Sequence, residues 1–420
     1  MKYGLLGKKL AHSYSKTIHE SFAPYEYELK ELTEEELDSF MKRKEFSAVN
    51  VTIPYKETVM KYLGFIDNAA KEIGAVNTVV NKNGVLYGYN TDFYGLRALL
   101  LKNGFELENK KVLVLGSGGT SKTAVTVCRA LGAREIYVVS RSGELNYQNV
   151  LSLHSDAQYI INTTPCGMFP NNGKSAISLD GFESLEGVCD VIYNPLRTSL
   201  LLEAKEKGLR YCGGLYMLVM QAVKASGLFL GTEYDESTGD SVYRKLAKEK
   251  ENIVLTGMPG SGKSTIGLLV AKILSRPFAD TDKLIIEKAG MEISDIFSKY
   301  GEEYFRTLES EVIAELSKKT GLVISTGGGA VLKKENIRNL SQNGKIFFLD
   351  RPLEQIVPTS DRPLSSDELS LKKRFEERYD IYKSTCDERI PVDGVPEHAA
   401  ALILGKENHY ENSCPQRTEY

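Results

Sequence analysis

The sequence predicts an α/β protein with at least two hydrophobic cores, and three observations support this fold class. The chain has 420 residues, more than one core usually organises, since a domain takes roughly 100 to 200 residues. Short β-branched runs alternate with charged helical stretches, the pattern of layered sheets and helices. Two glycine-rich loops, Gly116 to Gly119 and Gly257 to Gly262, each follow an apolar run and precede a helical segment. We therefore expect successive α/β units, each with a ligand-binding loop.

The composition is that of an ordinary water-soluble protein. Hydrophobic residues make up 42% of the chain and charged residues 26%, and the net charge of -3 gives no general attraction to nucleic acid or membrane. The six cysteines form no C-x-x-C pair, so neither a disulfide framework nor a zinc site is indicated. The first residues lack the apolar run of a signal peptide, and no segment approaches the roughly 20 apolar residues of a membrane helix. We expect a cytoplasmic chain with small-molecule partners, and its oligomeric state stays open.

The first unit begins with an α/β layer and continues into a βαβ unit. The runs Ala48 to Ile53 and Ala75 to Val80 favour strands, and the charged stretch ELTEEELDSFMKRKEF favours a surface helix. The strand Lys111 to Leu115 then enters a glycine loop, a helical segment and a second strand, Glu135 to Val139. Such a unit holds a dinucleotide pyrophosphate against the helix N-terminus in Rossmann-type folds. The predicted cofactor glycines are Gly116, Gly118 and Gly119.

The choice of dinucleotide depends on Arg141, directly after the second strand of the βαβ unit. An acidic residue there would bind the ribose hydroxyl of NAD, whereas an arginine pairs with the 2′-phosphate of NADP. Arg141 therefore favours NADP(H). Lys122, in the continuation of the glycine loop, is expected near the pyrophosphate. Later strands are expected at Gln158 to Ile161 and Cys189 to Tyr193.

The boundary between the two units is expected near Lys250. Residues 213–230 favour a mostly buried helix, and a charged helical stretch follows it up to this point. The final residues are polar and non-periodic, which is typical of a mobile tail. The predicted parts are 1–249, with a substrate part at about 1–100 and 213–249 and a dinucleotide-binding part at about 101–212, then 250–405, and the tail 406–420.

The stretch GMPGSGKST, Gly257 to Thr265, matches the phosphate-binding pattern G-x-x-x-x-G-K-[ST], with a strand before it and a helix after it. In such loops backbone amides surround the phosphates, the lysine contacts the β and γ phosphates, and the serine ligates Mg²⁺. The second unit is therefore predicted to be a P-loop domain like those of nucleoside-monophosphate kinases, binding ATP and Mg²⁺. The predicted nucleotide-binding residues are Gly257, Gly260, Gly262, Lys263, Ser264 and Thr265.

Three further motifs predict a phosphoryl acceptor site. Asp280 and Asp282 lie two residues apart after a short strand, so both carboxylates can face the metal and the reacting hydroxyl. YFRTLE places Arg306 on a helix, and STGGG closes a strand with bare backbone amides. With these motifs in this order, residues 252–404 resemble shikimate kinases. Another small-metabolite or nucleoside-phosphate kinase of the same fold is the alternative.

The resemblance to shikimate kinases implies a role for each motif. Asp280 would serve the magnesium shell, and Asp282 would bind the acceptor hydroxyl and take its proton. Lys263 and Arg362, the latter in a lid motif DRPL, would offset charge on the phosphoryl group. Arginine forks grip a carboxylate bidentately, which suits a small carboxylated polyol. The implied acceptor-binding residues are Arg306, Gly327, Gly328, Gly329 and Arg378.

Four polar clusters in the first unit, AHSYS, NVTIPYK, GAVNT and NTDFYG, resemble the motifs of shikimate dehydrogenases in order and spacing. The resemblance covers residues 1 to about 248. It implies that Lys56 and Asp92 are the catalytic pair, because a lysine can stabilise the alkoxide formed from a ketone while an aspartate orients it. The implied substrate-binding residues are Ser13 and Ser15 for a carboxylate, and Asn50, Thr52, Asn77 and Gln221 for ring hydroxyls.

Together, the two resemblances imply a bifunctional enzyme of aromatic amino acid biosynthesis. The first unit would reduce 3-dehydroshikimate to shikimate with NADPH, and the second would phosphorylate the new hydroxyl with ATP. Two alternatives remain: one unit is a catalytically silent regulatory or binding module, or the first unit is a quinate/shikimate dehydrogenase that uses NAD. Nothing in the sequence near residue 245 indicates that the two sites face each other, so independent sites are expected.

Overall fold

The computed structural model describes residues 1–10, 13–356 and 368–407, and in these residues three sheets are flanked by helices. The α/β class predicted from the sequence is confirmed. Within the described part, no helix combines the length and apolar character needed to cross a membrane. Five cysteines lie in this part, and all five are free thiols.

The first sheet has the strand order β2-β1-β3-β5-β6-β4. β1, β2 and β3 are parallel, whereas β5 runs antiparallel to both β3 and β6. The predicted surface helix starts with a capping box, in which Thr33 and Glu36 bond each other's backbone N–H. The elements are β1 (Tyr3–Gly7), α1 (Ser15–Phe22), β2 (Glu28–Glu31), α2 (Glu34–Arg43), β3 (Ala48–Val51), a 3-10 turn (Thr58–Tyr62), β4 (Phe65–Ile66), α3 (Asn68–Ile73), β5 (Thr78–Lys82) and β6 (Val85–Tyr89).

The second sheet is fully parallel, with the order β11-β10-β9-β7-β8. α4 and α8 join it to the first sheet. These two helices pack closely because Gly95 on α4 has no side chain; a Cβ there would lie only 2.5 Å from Met217 O on α8. The elements are α4 (Thr91–Lys102), β7 (Lys111–Leu115), α5 (Gly119–Ala130), β8 (Glu135–Val139), α6 (Val150–His154), β9 (Tyr159–Asn162), β10 (Gly187–Asp190), α7 (Ser199–Glu206), β11 (Arg210–Gly213), α8 (Leu215–Leu230) and α9 (Glu236–Lys250).

One predicted strand of this sheet is displaced. The sequence predicts a strand from Cys189 to Tyr193, but β10 ends at Asp190. The reason is local, because the Asp190 carboxylate accepts a hydrogen bond from Ile192 N at 3.0 Å and turns the backbone out of the strand.

The third sheet is also parallel, with the order β13-β14-β12-β15-β16. α12 is broken at Gly301, whose φ of 80° and ψ of 174° interrupt the helix. Glu407 ends the last helix, and the rest of the predicted tail lies outside the described residues. The elements are β12 (Asn252–Thr256), α10 (Lys263–Leu274), β13 (Phe278–Asp280), α11 (Thr281–Ala289), α12 (Ile293–Ser317), β14 (Val323–Ser325), a 3-10 turn (Ala330–Leu332), α13 (Lys334–Asn343), β15 (Gly344–Asp350), a 3-10 turn (Leu353–Gln355), α14 (Glu368–Thr385), β16 (Glu388–Pro391) and α15 (Pro396–Glu407).

Candidate active sites

Lys56 and Asp92 form an ion pair beside the first sheet. Lys56 Nζ donates to Asp92 Oδ2 at 2.5 Å, and the two side chains are 28% and 20% exposed. The Lys56 carbonyl accepts from Val76 N at 2.8 Å, and Asp92 lies in the first turn of α4, after the capping residue Asn90. Backbone contacts therefore hold both residues, while their charged ends stay accessible to a small molecule.

Three of the predicted substrate-binding side chains meet close to this pair. Asn50 Nδ2 donates to Asn77 O at 3.2 Å, and Thr91 N donates to Asn77 Oδ1 at 2.7 Å. Thr91 Oγ1 lies 3.5 Å from Gln221 Oε1, which α8 supplies. Tyr27 OH donates to Asn50 Oδ1 at 2.7 Å and fixes that amide. The sequence argument missed Tyr27, which resembles any core aromatic, and Thr91, which the NTDFYG motif could have indicated.

Ser13 and Ser15 lie in the turn that leads into α1. Ser15 N donates to Ser13 Oγ at 3.2 Å, and both residues are half-buried. Thr52 follows β3, where its N–H donates to Leu6 O at 2.9 Å. The predicted carboxylate ligands are thus adjacent in space, and their role in binding stays a prediction.

The glycine loop of the second sheet has room for a phosphate group. Gly116 has a φ of 105°, and a Cβ there would lie 2.9 Å from Thr163 Oγ1, so both its backbone and its surroundings require glycine. Gly118 caps α5 and Gly119 begins it, and ideal Cβ atoms at both positions meet nothing within 4 Å. The space beside these two glycines is therefore open, and open space at the N-terminus of a helix fits a pyrophosphate.

Two basic side chains near this loop differ in their surroundings. Lys122 Nζ on α5 lies 3.2 Å from Glu57 Oε1, and Glu57 follows Lys56, the predicted catalytic lysine, so α5 contacts the segment after β3 here. Arg141 is exposed after β8 and lies near Tyr147. Lys122 thus bridges two parts of the unit, and the predicted role of Arg141 in binding the 2′-phosphate stays a prediction.

The loop between β12 and α10 has the predicted P-loop form. Gly257, Gly260 and Gly262 have φ values of 143°, 86° and 95°, which glycine alone adopts readily. Lys263 Nζ donates to Gly257 O and to Met258 O, each at 2.9 Å, and so curls over the loop. Thr265 is exposed on the first turn of α10. Backbone amides and one ammonium group are therefore gathered where phosphates would bind.

A cleft of about 650 Å³ opens from the P-loop, and the triple glycine forms part of its wall. A Cβ at Gly329 would lie 2.2 Å from Arg306 Nη1, and one at Gly327 would lie 2.7 Å from Asp282 Oδ1. A Cβ at Gly328 would lie 2.8 Å from the Pro259 ring. Each glycine therefore makes room for a neighbouring group, which the sequence motif alone does not reveal.

Arg306 is held from within its own helix. Its Nη1 donates to Glu309 Oε2 at 2.7 Å, and its Nη2 lies 3.1 Å from Glu302 Oε1. Burial raises the pKa of the Glu309 carboxyl, although the Arg306 guanidinium opposes this shift. Arg378 Nη1 donates to Gly328 O at 3.1 Å, so the two predicted carboxylate ligands approach the triple glycine from different helices.

Two further arginines line the same cleft and were missed in the sequence. Arg351 follows β15, and its Nη1 lies 3.4 Å from Gly260 O. Arg374 lies one turn before Arg378 on α14, and burial, together with the charge of Arg378, lowers the pKa of its guanidinium. The spacing of four residues between Arg374 and Arg378 could have indicated it, because such residues share a helix face. The predicted lid residue Arg362 lies outside the described residues.

The predicted magnesium ligands are adjacent. Ser264 Oγ donates to Asp280 Oδ2 at 2.6 Å, so a hydroxyl and a carboxylate oxygen face the same space beside the P-loop. In the described part of the chain, no group of three or more His, Cys, Asp or Glu side chains could hold a metal. A pair of oxygen ligands fits Mg²⁺, which keeps several waters and is completed by substrate phosphates.

These two sites define an oxidoreductase of the Rossmann type joined to a P-loop kinase. Residues 5–79 match the family model of the shikimate dehydrogenase substrate binding domain, and residues 259–406 match that of shikimate kinase. The chain belongs to the shikimate dehydrogenase family and carries a shikimate kinase domain after it. It is a bifunctional enzyme of the shikimate pathway, and its families imply NADP and ATP as cofactors.

Relatives support the assignment of the first unit. NADP(+)-dependent shikimate dehydrogenases of Clostridium perfringens (strain SM101 / Type A) and Clostridium beijerinckii are both 36% identical, covering 58% and 57% of this chain and 97% and 96% of their own lengths. Shikimate dehydrogenase 1 of Peptoclostridium difficile is 37% identical with a TM-score of 0.53, covering 59% of this chain and 98% of its own. A chorismate mutase/shikimate 5-dehydrogenase fusion of Clostridium acetobutylicum is 35% identical with a TM-score of 0.55, covering 58% and 96%.

Proposed function

We propose that the chain reduces 3-dehydroshikimate to shikimate with NADPH and then phosphorylates the 3-hydroxyl of shikimate with MgATP. The observation that carries this proposal is that each site brings a predicted pair of functional groups within hydrogen-bond distance. Lys56 lies 2.5 Å from Asp92 in one site, and Ser264 lies 2.6 Å from Asp280 in the other. When bound, NADPH supplies a hydride, ATP supplies a phosphoryl group, and Mg²⁺ held by Ser264 and Asp280 offsets phosphate charge.

In the dehydrogenase site, the chain provides a proton and a fixed orientation. Lys56 Nζ would donate to the ketone oxygen and protonate it as negative charge develops there, while Asp92 holds the ammonium group in place. Asn50 and Asn77 are already fixed by hydrogen bonds to their neighbours, so they can position a ring hydroxyl without further ordering. Ser13 and Ser15 would bind the carboxylate.

In the kinase site, the chain aligns the acceptor and neutralises charge. Arg306 and Arg378 would grip the acceptor carboxylate against the triple glycine, and Asp282 would take the proton from the attacking hydroxyl. Lys263 would contact the β and γ phosphates, and Arg362 would close over them. The hydroxyl that the first reaction generates is the one that the second phosphorylates, which gives a chemical reason for carrying both units in one chain.

Separate assays of the two units test the proposal. NADP⁺ and NAD⁺ are compared with shikimate and with quinate, and ATP-dependent phosphorylation is measured with added shikimate. We expect Lys56→Ala to lower the dehydrogenase kcat by about 10² to 10⁴ and leave the kinase unchanged. Lys263→Ala should abolish only the kinase.

Matched controls and contrary outcomes complete this test. Lys61→Ala, on the 3-10 turn after Lys56, and Lys272→Ala, in the last turn of α10, remove exposed lysines and should leave both rates unchanged. An inactive wild-type kinase with intact ATP binding would support the silent-module alternative. Faster turnover of quinate with NAD⁺ would replace the proposed dehydrogenase reaction with that of a quinate/shikimate dehydrogenase.

A further inference from the structure

The segment Val191 to Thr198, here the 191–198 loop, connects β10 to α7 at the carboxyl edge of the second sheet. Ligands of open parallel sheets bind beyond that edge, so the loop borders the cofactor region. Asp190 secures both of its ends, because its carboxylate accepts from Ile192 N at 3.0 Å and from Thr198 Oγ1 at 2.7 Å. These two bonds to Asp190 do not hold the middle of the loop.

The 191–198 loop also contacts the substrate-binding turn. The Tyr193 ring lies edge-on to the Tyr14 ring, with centroids 5.7 Å apart and an interplanar angle of 70°. Tyr14 stands between Ser13 and Ser15, the predicted carboxylate ligands. A shift of the loop would therefore change the positions of residues on both the cofactor side and the substrate side of the dehydrogenase site.

The kinase unit holds the middle of the 191–198 loop. Leu196 N donates to Asn343 Oδ1 at 2.9 Å, and Arg197 N donates to Gln342 O at 2.9 Å. The Arg197 side chain adds a bond from Nη2 to Gly344 O at 2.7 Å. Asn343 is fully buried, and these acceptors all lie where α13 meets β15. The contact is specific and shielded from water.

The connection between the two units reinforces this contact. Glu251, between α9 and β12, accepts from Arg197 Nη1 and Nη2, both at 2.9 Å, and the two side chains are only 10% and 18% exposed. Lys250 Nζ lies 4.3 Å from the centre of the Tyr14 ring. Both nitrogens donate to the same oxygen, Glu251 Oε1, and such a charge-assisted, largely desolvated pair resists displacement more than a surface pair does.

We propose that Asn343 and Glu251 are positioning residues for the dehydrogenase reaction. They hold the 191–198 loop, and through the Tyr193–Tyr14 contact the substrate-binding turn, in the geometry that binds dinucleotide and substrate. The dehydrogenase site is thus completed by the kinase unit, without any transfer of product between the sites. This inference rests on the proposed dehydrogenase reaction and goes beyond it.

Other contacts between the units provide a matched control. Arg338 on α13 forms a bidentate pair with Glu206 on α7, with both distances 2.8 Å, so these two bonds join the units outside the 191–198 loop. Removing Arg338 therefore weakens the same interface while leaving the Leu196 and Arg197 contacts in place. Comparison with Arg338→Ala therefore distinguishes a general weakening of the interface from a specific loss of the contacts that hold the loop.

The test uses the full chain with Asn343→Ala, Glu251→Ala and Arg338→Ala. Asn343→Ala removes the acceptor for Leu196 N and also the donor from Nδ2 to Ser317 O. We expect Asn343→Ala and Glu251→Ala to raise the dehydrogenase KM for NADP⁺ and shikimate about 3- to 10-fold, the effect of one lost hydrogen bond, with a smaller change in kcat. Arg338→Ala should stay within about twofold of the wild type.

The inference is overturned if Asn343→Ala and Glu251→Ala show the same KM values as Arg338→Ala. Circular dichroism and thermal unfolding of each variant identify any that fail to fold, and Glu251→Gln, which keeps an acceptor, then replaces Glu251→Ala. If the wild type lacks dehydrogenase activity, the proposed function fails, and the Kd for NADP⁺ measured by calorimetry decides the positioning role with the same expected ratios.

Discussion

At the residue scale, the shape of the acceptor pocket depends on the absence of side chains at the triple glycine. Gly329 has φ of -101°, a backbone conformation open to any residue, so the backbone does not require glycine there. Glycine is needed because a side chain would collide with the guanidinium of Arg306. Arg306 in turn is fixed by the buried carboxylate of Glu309. The arginine cannot retreat without leaving that buried charge unpaired, which is costly.

Gly329→Ala should therefore displace Arg306 instead of straining the backbone. We expect the kinase KM for shikimate to rise at least about tenfold, while overpacking lowers the unfolding free energy by about 1 to 3 kcal/mol. The KM for ATP should change little. Steady-state kinetics with each substrate varied measure this. Gly405→Ala, on α15 with open space around its Cβ, is the control and should be silent; an equal effect in both variants would contradict the explanation.

The sequence indicated the neighbours of those candidate residues whose motifs are local. Lys56, Asp92 and Lys263 stand in short patterns that combine a turn with a charged group, and the structure brings each to its expected partner or loop. Tyr27 was missed because its role arises from a hydrogen bond across 23 residues, and its sequence context is that of a core aromatic. Arg374 was missed although helical spacing relates it to Arg378.

At the element scale, two local features set the geometry of the sites. The break at Gly301 re-aims the second part of α12, which carries Arg306. The Asp190 carboxylate ends β10 and begins the 191–198 loop. The sequence predicted neither feature, because a glycine within a helical pattern and an aspartate after a strand each have several ordinary outcomes.

Gly301→Ala tests the break in α12. With φ of 80° and ψ of 174°, Gly301 occupies backbone space that other residues rarely adopt, although a Cβ there would meet no atom within 4 Å. We expect the substitution to cost about 1 to 3 kcal/mol of unfolding free energy through backbone strain and to raise the KM for shikimate. Urea unfolding and kinase kinetics measure the two effects. Gly290→Asn, in the left-handed region that asparagine tolerates, should be mild by comparison; the reverse order would refute this role for Gly301.

The buried carboxyl group of Asp190 should make the unfolding free energy depend on pH. Burial raises the pKa of its carboxyl to about 6, above its ordinary value of 3.8. The folded state therefore holds this proton more tightly, so the stabilisation is complete below about pH 4 and is lost as pH rises through about 6. The shift corresponds to about 3 kcal/mol.

The variant Asp190→Asn cannot ionise and should lack this loss. We expect the unfolding free energy of the wild type to fall by about 2 kcal/mol relative to the variant between pH 4 and pH 6.5, since part of the change lies outside this range. Urea unfolding at several pH values gives the difference curve. Parallel curves for the two proteins would show that Asp190 does not titrate in this range.

At the scale of the whole molecule, the sequence predicted the α/β class and the strands next to both glycine loops, because those patterns depend on neighbouring residues. The contact between the units could not be predicted in this way. Leu196 and Asn343 are 147 residues apart, and neither belongs to a motif that specifies a partner. Such a contact depends on the shapes of two folded surfaces. Hydrophobic periodicity and turn residues give no information on how those surfaces fit together.

The central claim is that one chain creates a hydroxyl and then phosphorylates it. The most direct test supplies the purified chain with 3-dehydroshikimate, MgATP and NADPH carrying deuterium at the transferred position of its nicotinamide. We expect a product with deuterium and phosphate on the same ring carbon. Lys56→Ala should block both labels, and Lys263→Ala only the phosphate. Deuterated shikimate without phosphate from the wild-type chain, or phosphate on a carbon without deuterium, would contradict it.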